Sequence, residues 1–181
     1  GFGMAVDGDG TVVRNCIVYE YGEDGIYVTA NGVLVQNTTL HRSTNTSNVG
    51  EALQVGSGCS AIAENVIATD SSFYSEGSLT CYNSISSDDS ATSASGCGAG
   101  GSGNRTYRTA ASLFVSAVSG YFDLHLASGS DARDTGGLDG ARGGSGSPKA
   151  STSAAGRFDP PCPNTKKSTA PRPSRSGRAA T

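Results

Sequence analysis

Apolar residues in positions 1–86 come in short β-branched runs such as Val12-Val13, Ile17-Val18 and Val33-Leu34-Val35, each bounded by Gly, Asp or Asn. Such runs predict short strands separated by turns, with almost no helical periodicity. Sliding the sequence over itself lays residues 3–19 on residues 25–41 without a gap, at an offset of 22, so that apolar positions coincide and Asn15 falls on Asn37. A third copy starts at Ala52-Leu53-Gln54-Val55 and continues in Ala63-Glu64-Asn65-Val66-Ile67, and a shortened fourth reads Cys81-Tyr82-Asn83-Ser84-Ile85. Asn15, Asn37, Asn65 and Asn83 are thus spaced by 22, 28 and 18 residues. Repeats of this length built from β-branched strands predict a β-solenoid.

One such coil has no core of its own, so each strand must pair in parallel with its counterpart one turn later. That stacking predicts an inner row of Val6, Val28 and Val55 and a second inner row of Ile17, Thr39 and Ile67. The recurring Asn is expected at a bend, where it tolerates a left-handed backbone and its amide bonds the amide of the next coil. Residues 44–50 read as an outward loop of the second coil. A β-sandwich or up-and-down barrel also uses short strands, but neither requires the same residue type at the same phase of every repeat. Residues 84–103 read as a Ser/Gly-rich loop or worn final coil. Order is expected to resume at residues 110–115 and 120–126, where Phe122, Leu124 and Leu126 alternate as in a half-buried strand, and these segments are candidates to cover the open end of the stack.

Composition divides the chain. The 181 residues carry a net charge of −3. Residues 1–138 hold 5 Arg against 14 acidic residues, a net −9, whereas residues 139–181 hold 8 basic and 2 acidic residues, a net +6. The last stretch contains all 6 Pro and no Val, Ile, Leu, Met or Tyr, so it lacks the apolar surface to offset its ordering entropy and is expected to be disordered. Three regions follow: coils over 1–86, loop and C-terminal cap over 87–138, and a basic tail over 139–181. No run of 18 apolar residues exists, so no membrane-spanning helix is expected. The chain begins Gly1-Phe2-Gly3 without Met, as an internal piece of a longer polypeptide would. Five Cys at irregular spacings, with no C-x-x-C pair, read as buried single cysteines with room for one disulfide rather than as a zinc site. An acidic, Lys-free 1–138 disfavours nucleic-acid binding.

The Gly-Ile-x-Val and Gly-x-x-Val-x-Asn-x-Ile coils are followed by Leu113-Phe114-Val115, Gly120-Tyr121-Phe122-Asp123-Leu124-His125-Leu126 and Gly129-Ser130-Asp131-Ala132-Arg133-Asp134-Thr135-Gly136. Together they resemble the C-terminal part of large secreted bacterial right-handed parallel β-helix proteins of the pectate-lyase-like superfamily. The resemblance spans about residues 3–138. Asp131 stands where Pro is usual in that phrase, and Arg133 where Ile is usual. The resemblance implies an all-β, right-handed parallel β-helix of about four coils with a C-terminal cap, in an extracellular or cell-surface protein.

Members of that superfamily that cleave polysaccharides carry acids and a base along one outer face of the stack. The acidic residues here are Asp7 and Asp9 in the first coil, Glu20, Glu23 and Asp24 at its junction with the second, and Glu51 before the third. Asp7, Asp9 and Asp24 are the candidate oxygen ligands for Ca²⁺, which would bridge enzyme and uronate and acidify the carbon-bound proton in a lyase. Stacking is expected to bring Asp24 close to Glu51, and His41, Arg42 and Glu51 are the candidate catalytic residues. Asp7-Gly8-Asp9-Gly10 lacks the spacing of an EF-hand loop and also suits a plain turn. Asp88-Asp89 resembles the paired acids of inverting hydrolases, without the companion His and Arg-x-Lys motifs of β-helix polygalacturonases. His125 belongs to the closing phrase and reads as structural. Two functions fit: a non-catalytic surface module with a structural or weak polysaccharide-contact role, or part of a polysaccharide lyase or glycoside hydrolase acting on uronate polymers. The enzyme reading requires at least three of Asp7, Asp9, Asp24, Glu51, His41 and Arg42 to converge in one groove.

Overall fold

A computed structural model describes residues 1–42, 50–98, 100–118, 121–130 and 132–133. Twelve short strands form three parallel four-stranded sheets, each taking one strand from every coil. The first sheet contains β1 (Met4–Val6), β4 (Ile26–Val28), β7 (Leu53–Val55) and β10 (Phe73–Ser75). The second contains β2 (Val12–Arg14), β5 (Val33–Gln36), β8 (Ser60–Glu64) and β11 (Ser78–Tyr82). The third contains β3 (Ile17–Tyr19), β6 (Thr39–His41), β9 (Ile67–Thr69) and β12 (Ile85–Ser86). This is a parallel β-helix of about four coils.

The repeat offset becomes strand register. Val6 pairs with Val28 and Val28 with Val55, and all three point into the core at 5 %, 0 % and 0 % exposure. Ile17, Thr39 and Ile67 are also in register, but they do not form an inner row. Ile17 is 58 % exposed, and the inner row of the third sheet is instead Val18, Leu40, Ala68 and Ser86. The bend just upstream sets this phase. The left-handed Asn turns the following residue inward, at Thr38, Val66 and Ser84, so strand alternation points the next one outward.

All four recurring Asn residues adopt φ between 47° and 57°, a region that bulky side chains avoid. Asn37 Nδ2 donates to Asn15 Oδ1 at 3.4 Å, and Asn65 Nδ2 donates to Asn37 Oδ1 at 3.0 Å. Above Asn83 the position passes to Gly103, also left-handed, where a Cβ would lie 2.1 Å from Asn83 Oδ1. Asn104 then supplies the amide, accepting from the Ser84 N–H and donating to the Cys81 carbonyl.

Residues 87–98 and 100–108 close the C-terminal end of the stack. Single bridges join Tyr82 to Ser102 and Ile85 to Arg105, the Ser75 N–H bonds the Ser95 carbonyl, and Ala91 and Cys97 complete the core. A disulfide ties Cys97 to Cys81 of β11, while Cys16 is a free thiol. The segment expected to cover the stack lies along its flank. It comprises α1 (Ala110–Leu113) and an antiparallel hairpin of β13 (Phe114–Ser116) and β14 (Asp123–Leu126). Leu113, Phe114, Leu124 and Leu126 pack on the outward residues Ile67 and Ile85 of the third sheet, and Phe122 reaches Tyr19 and His41 at ring separations of 5.3 and 5.4 Å. Among the described residues, no helix is long and apolar enough to cross a membrane. Residues 139–181, most of the 44–50 loop and residues 134–136 of the closing phrase lie outside the described residues.

Candidate functional site

The corner that leads from the third sheet back to the first gathers polar groups from three successive coils. Asp24 enters it from the β3–β4 turn, Arg42 follows β6, Gly50 and Glu51 precede β7, and Ser71 and Ser72 precede β10. Asp24 Oδ1 accepts the Glu51 N–H at 2.9 Å, and the Glu51 carbonyl accepts the Gly25 N–H at 2.8 Å, so the expected proximity of Asp24 and Glu51 arises from coil stacking. Arg42 donates from a guanidinium nitrogen to the Gly50 carbonyl at 3.0 Å. Ser71 Oγ donates to the same carbonyl at 2.9 Å, and Ser72 Oγ donates to Glu51 Oε2. Gly50 admits no side chain here, because a Cβ would lie 1.6 Å from the Glu23 carbonyl oxygen.

Asp24, Arg42 and Glu51 therefore converge, but inside the wall of the solenoid. Asp24 is 6 % and Arg42 9 % exposed. Tyr21 closes the cluster from below with a buried hydroxyl. Burial pushes its phenol up to about 12, against the lowering effects of Ser71 and Arg42. It stays protonated at any physiological pH and is not a base. Asp24 accepts from a backbone N–H of the next coil, Glu51 from a hydroxyl of the coil after that, and Arg42 meets the Gly50 carbonyl, which holds three consecutive turns in step.

His41 and Arg42 are sequence neighbours with different environments. The His41 ring, 1 % exposed, lies on the third sheet under the hairpin, between Phe114 and Phe122. Its Nδ1 is 2.9 Å from Thr69 Oγ1 and 3.6 Å from Asp70 Oδ2. Desolvation lowers its pKa, and the nearby Asp70 carboxylate and Ala117 carbonyl only partly oppose that. Asp7 and Asp9 sit at the exposed β1–β2 turn, at a different corner from Asp24, and Asp9 Oδ1 accepts the Asn31 N–H at 2.7 Å. Among the described residues no three His, Cys, Asp or Glu side chains are grouped to hold a metal ion. Asp88 folds back onto Ser90, accepting from its N–H at 2.9 Å, as a turn residue does. His125 is exposed beside Asp123, with Nδ1 2.5 Å from Asp123 Oδ1, and that contact lowers the Asp123 pKa.

One surface feature escaped the sequence reading. The outward row of the first sheet runs Ala5, Tyr27, Gln54, Tyr74 in consecutive coils, and Phe2 stacks on Tyr27 at 5.2 Å between ring centres and 16° between planes. The signal was present in the polar or aromatic middle residue of Ile26-Tyr27-Val28, Leu53-Gln54-Val55 and Phe73-Tyr74-Ser75, each flanked by an inward apolar residue. No protein family, curated protein or solved structure matches this chain.

Proposed function

We propose that this chain is a non-catalytic extracellular or cell-surface β-helix module whose outer face makes weak contacts with polysaccharide. The observation that carries the reading is the outward row of Tyr27, Gln54 and Tyr74 on the first sheet. Neighbouring coils are about 4.8 Å apart, so the two Tyr rings stand roughly 10 Å from each other on a flat strand surface. Aromatic rings with a polar edge, alternating with an amide, suit an extended sugar chain: the rings cover the apolar faces of sugars while the hydroxyl and amide groups meet their hydroxyls. The Cys81–Cys97 disulfide favours an oxidising, extracellular setting. The resemblance of the coil and closing phrases to the pectate-lyase-like superfamily points the same way.

The second reading, a fragment of a uronate-polysaccharide lyase or hydrolase, draws support from the convergence of Asp24, Arg42 and Glu51. The burial of Asp24 and Arg42 and the internal hydrogen bonds of all three weigh against it, since a substrate must reach the groups that act on it. Affinity electrophoresis through gels containing neutral or uronate polysaccharide separates the outcomes. Retardation by at least one polymer, lost in Tyr27→Ala/Tyr74→Ala, is the expected result; unretarded migration in every polymer rejects the binding reading. Release of reducing or unsaturated ends from uronate polymers, with or without Ca²⁺, would establish the enzyme reading instead.

A further inference from the structure

Between the turn after β9 and the flank hairpin lies an open cavity of about 440 Å³, which shares no lining residue with the Tyr27–Tyr74 row. Its walls are largely apolar, formed by Ala110, Phe114, Val115 and Val118, with hydroxyls from Thr109 and Ser116. Val115 and Val118 at its rim are 61 % and 65 % exposed, an apolar surface left to water. Among the described residues that line it, Asp70 is the ionisable one. Its backbone is left-handed, with φ at 56° and its N–H on Ser87 Oγ at 3.0 Å, and its side chain is 39 % exposed.

We propose that this cavity is a binding site for a small organic cation, a primary or quaternary ammonium group carried on an apolar body. An apolar pocket with one placed charged group selects for a ligand of the same design. The apolar body would cover Val115 and Val118, and the ammonium would meet the Asp70 carboxylate in a setting less screened than open solvent. The group behind Asp70 does not neutralise it: His41 is enclosed by the hairpin, and desolvation favours its uncharged ring. The long-range field agrees, because residues 1–138 carry a net −9. Asp70 repels an anion and offers a neutral hydroxyl of the same size a hydrogen bond without an ion pair.

Phenethylamine and 2-phenylethanol, which differ in the charged head, are suitable probes, with binding followed through backbone amide chemical shifts of the isotope-labelled full chain. The amine is expected to shift the amides of Asp70 and residues 109–118 and to bind at least tenfold more tightly than the alcohol. Asp70→Asn keeps a residue that tolerates the left-handed backbone while removing the charge; it should abolish the amine's advantage and leave the alcohol's affinity in place. Ala111→Trp, on the exposed side of α1 at the cavity wall, should block both probes, and it tests the site even if Asp70→Asn does not fold. Equal affinities for amine and alcohol, shifts confined to other surfaces, or no amine binding at millimolar concentration would overturn the proposal. Loss of polysaccharide retardation leaves this result untouched, because the two surfaces share no residue.

Discussion

Asn65 donates its side-chain amide to Asn37 one coil below it at 3.0 Å, and both residues hold the same left-handed backbone. The side chain therefore has two duties, permitting the bend and linking it to the next one. Asn37 also donates to Asn15, so it is the middle member of three.

Replacing Asn37 separates these duties. Asn37→Ala loses both amide contacts and keeps a Cβ in the left-handed region without the short polar side chain that makes Asn tolerable there, a destabilisation of about 1–3 kcal/mol. Asn37→Gly loses only the amides and should be destabilised by roughly half as much, since glycine adopts this backbone freely. Urea unfolding of the two variants is the measurement, and an alanine variant as stable as the glycine variant would contradict the assignment.

The buried His41 predicts an acid-sensitive fold. Its pKa is lowered in the folded chain, so the unfolded chain binds a proton first as the pH falls below the ordinary value of 6.5. Its contribution to stability is therefore full above that value and declines as the pH drops towards the folded pKa. His41→Leu should remove that part of the acid dependence, seen as a smaller loss of melting temperature between pH 7 and pH 5 than in the parent chain.

Tyr21 predicts the opposite limb. Its phenol ionises near 10 when unfolded and at about 12 when folded, so the folded state keeps a proton that the unfolded state releases. Stability contributed by Tyr21 is intact below pH 10 and falls as the pH rises from 10 towards 12. Tyr21→Phe should flatten that interval in alkaline denaturation curves. A spectrophotometric titration of the parent chain should contain a late phenol ionisation that Tyr21→Phe removes.

The Cys81–Cys97 disulfide closes a short loop, with a sequence separation of 16, at the end of the stack. Removing it restores chain entropy to the unfolded state, an effect of about 3 kcal/mol for a loop of this length. Cys81→Ser/Cys97→Ser should show the loss as a lower melting temperature than the parent chain when both are measured without reductant, a comparison that leaves the disulfide-bonded Cys59 unchanged.

The coils were legible because their requirements are residue-specific: only a few side chains accept the bend at Asn15, Asn37, Asn65 and Asn83, so the repeat survives even where its length changes. The orientation of the third sheet was not legible. Ile17 looks like a core residue by composition, yet the bend restarts the alternation and sends Ile17 outward while Val18 turns in. Similarly, alternation at Phe122, Leu124 and Leu126 marks a half-buried strand without saying which surface it meets. At the candidate site, the meeting of Asp24 and Glu51 followed from stacking, but the enclosure of Asp24 and Arg42 did not. A polar residue shows no sign of burial in sequence until the groups that satisfy it are known, here the Glu51 N–H, the Gly50 carbonyl and the Ser72 hydroxyl.

The position of the hairpin also changes how this solenoid should come apart. Stacked repeats contact only their neighbours, so a plain solenoid frays coil by coil from whichever end is weaker. Here one hairpin touches Tyr19 in the first coil, His41 in the second, Ile67 in the third and Ile85 in the fourth. Peeling off a terminal coil must also disturb this longitudinal brace, which couples coils that never meet one another. The stack gains the cooperativity of a globular domain, and the order of unfolding is set from the side rather than from the ends.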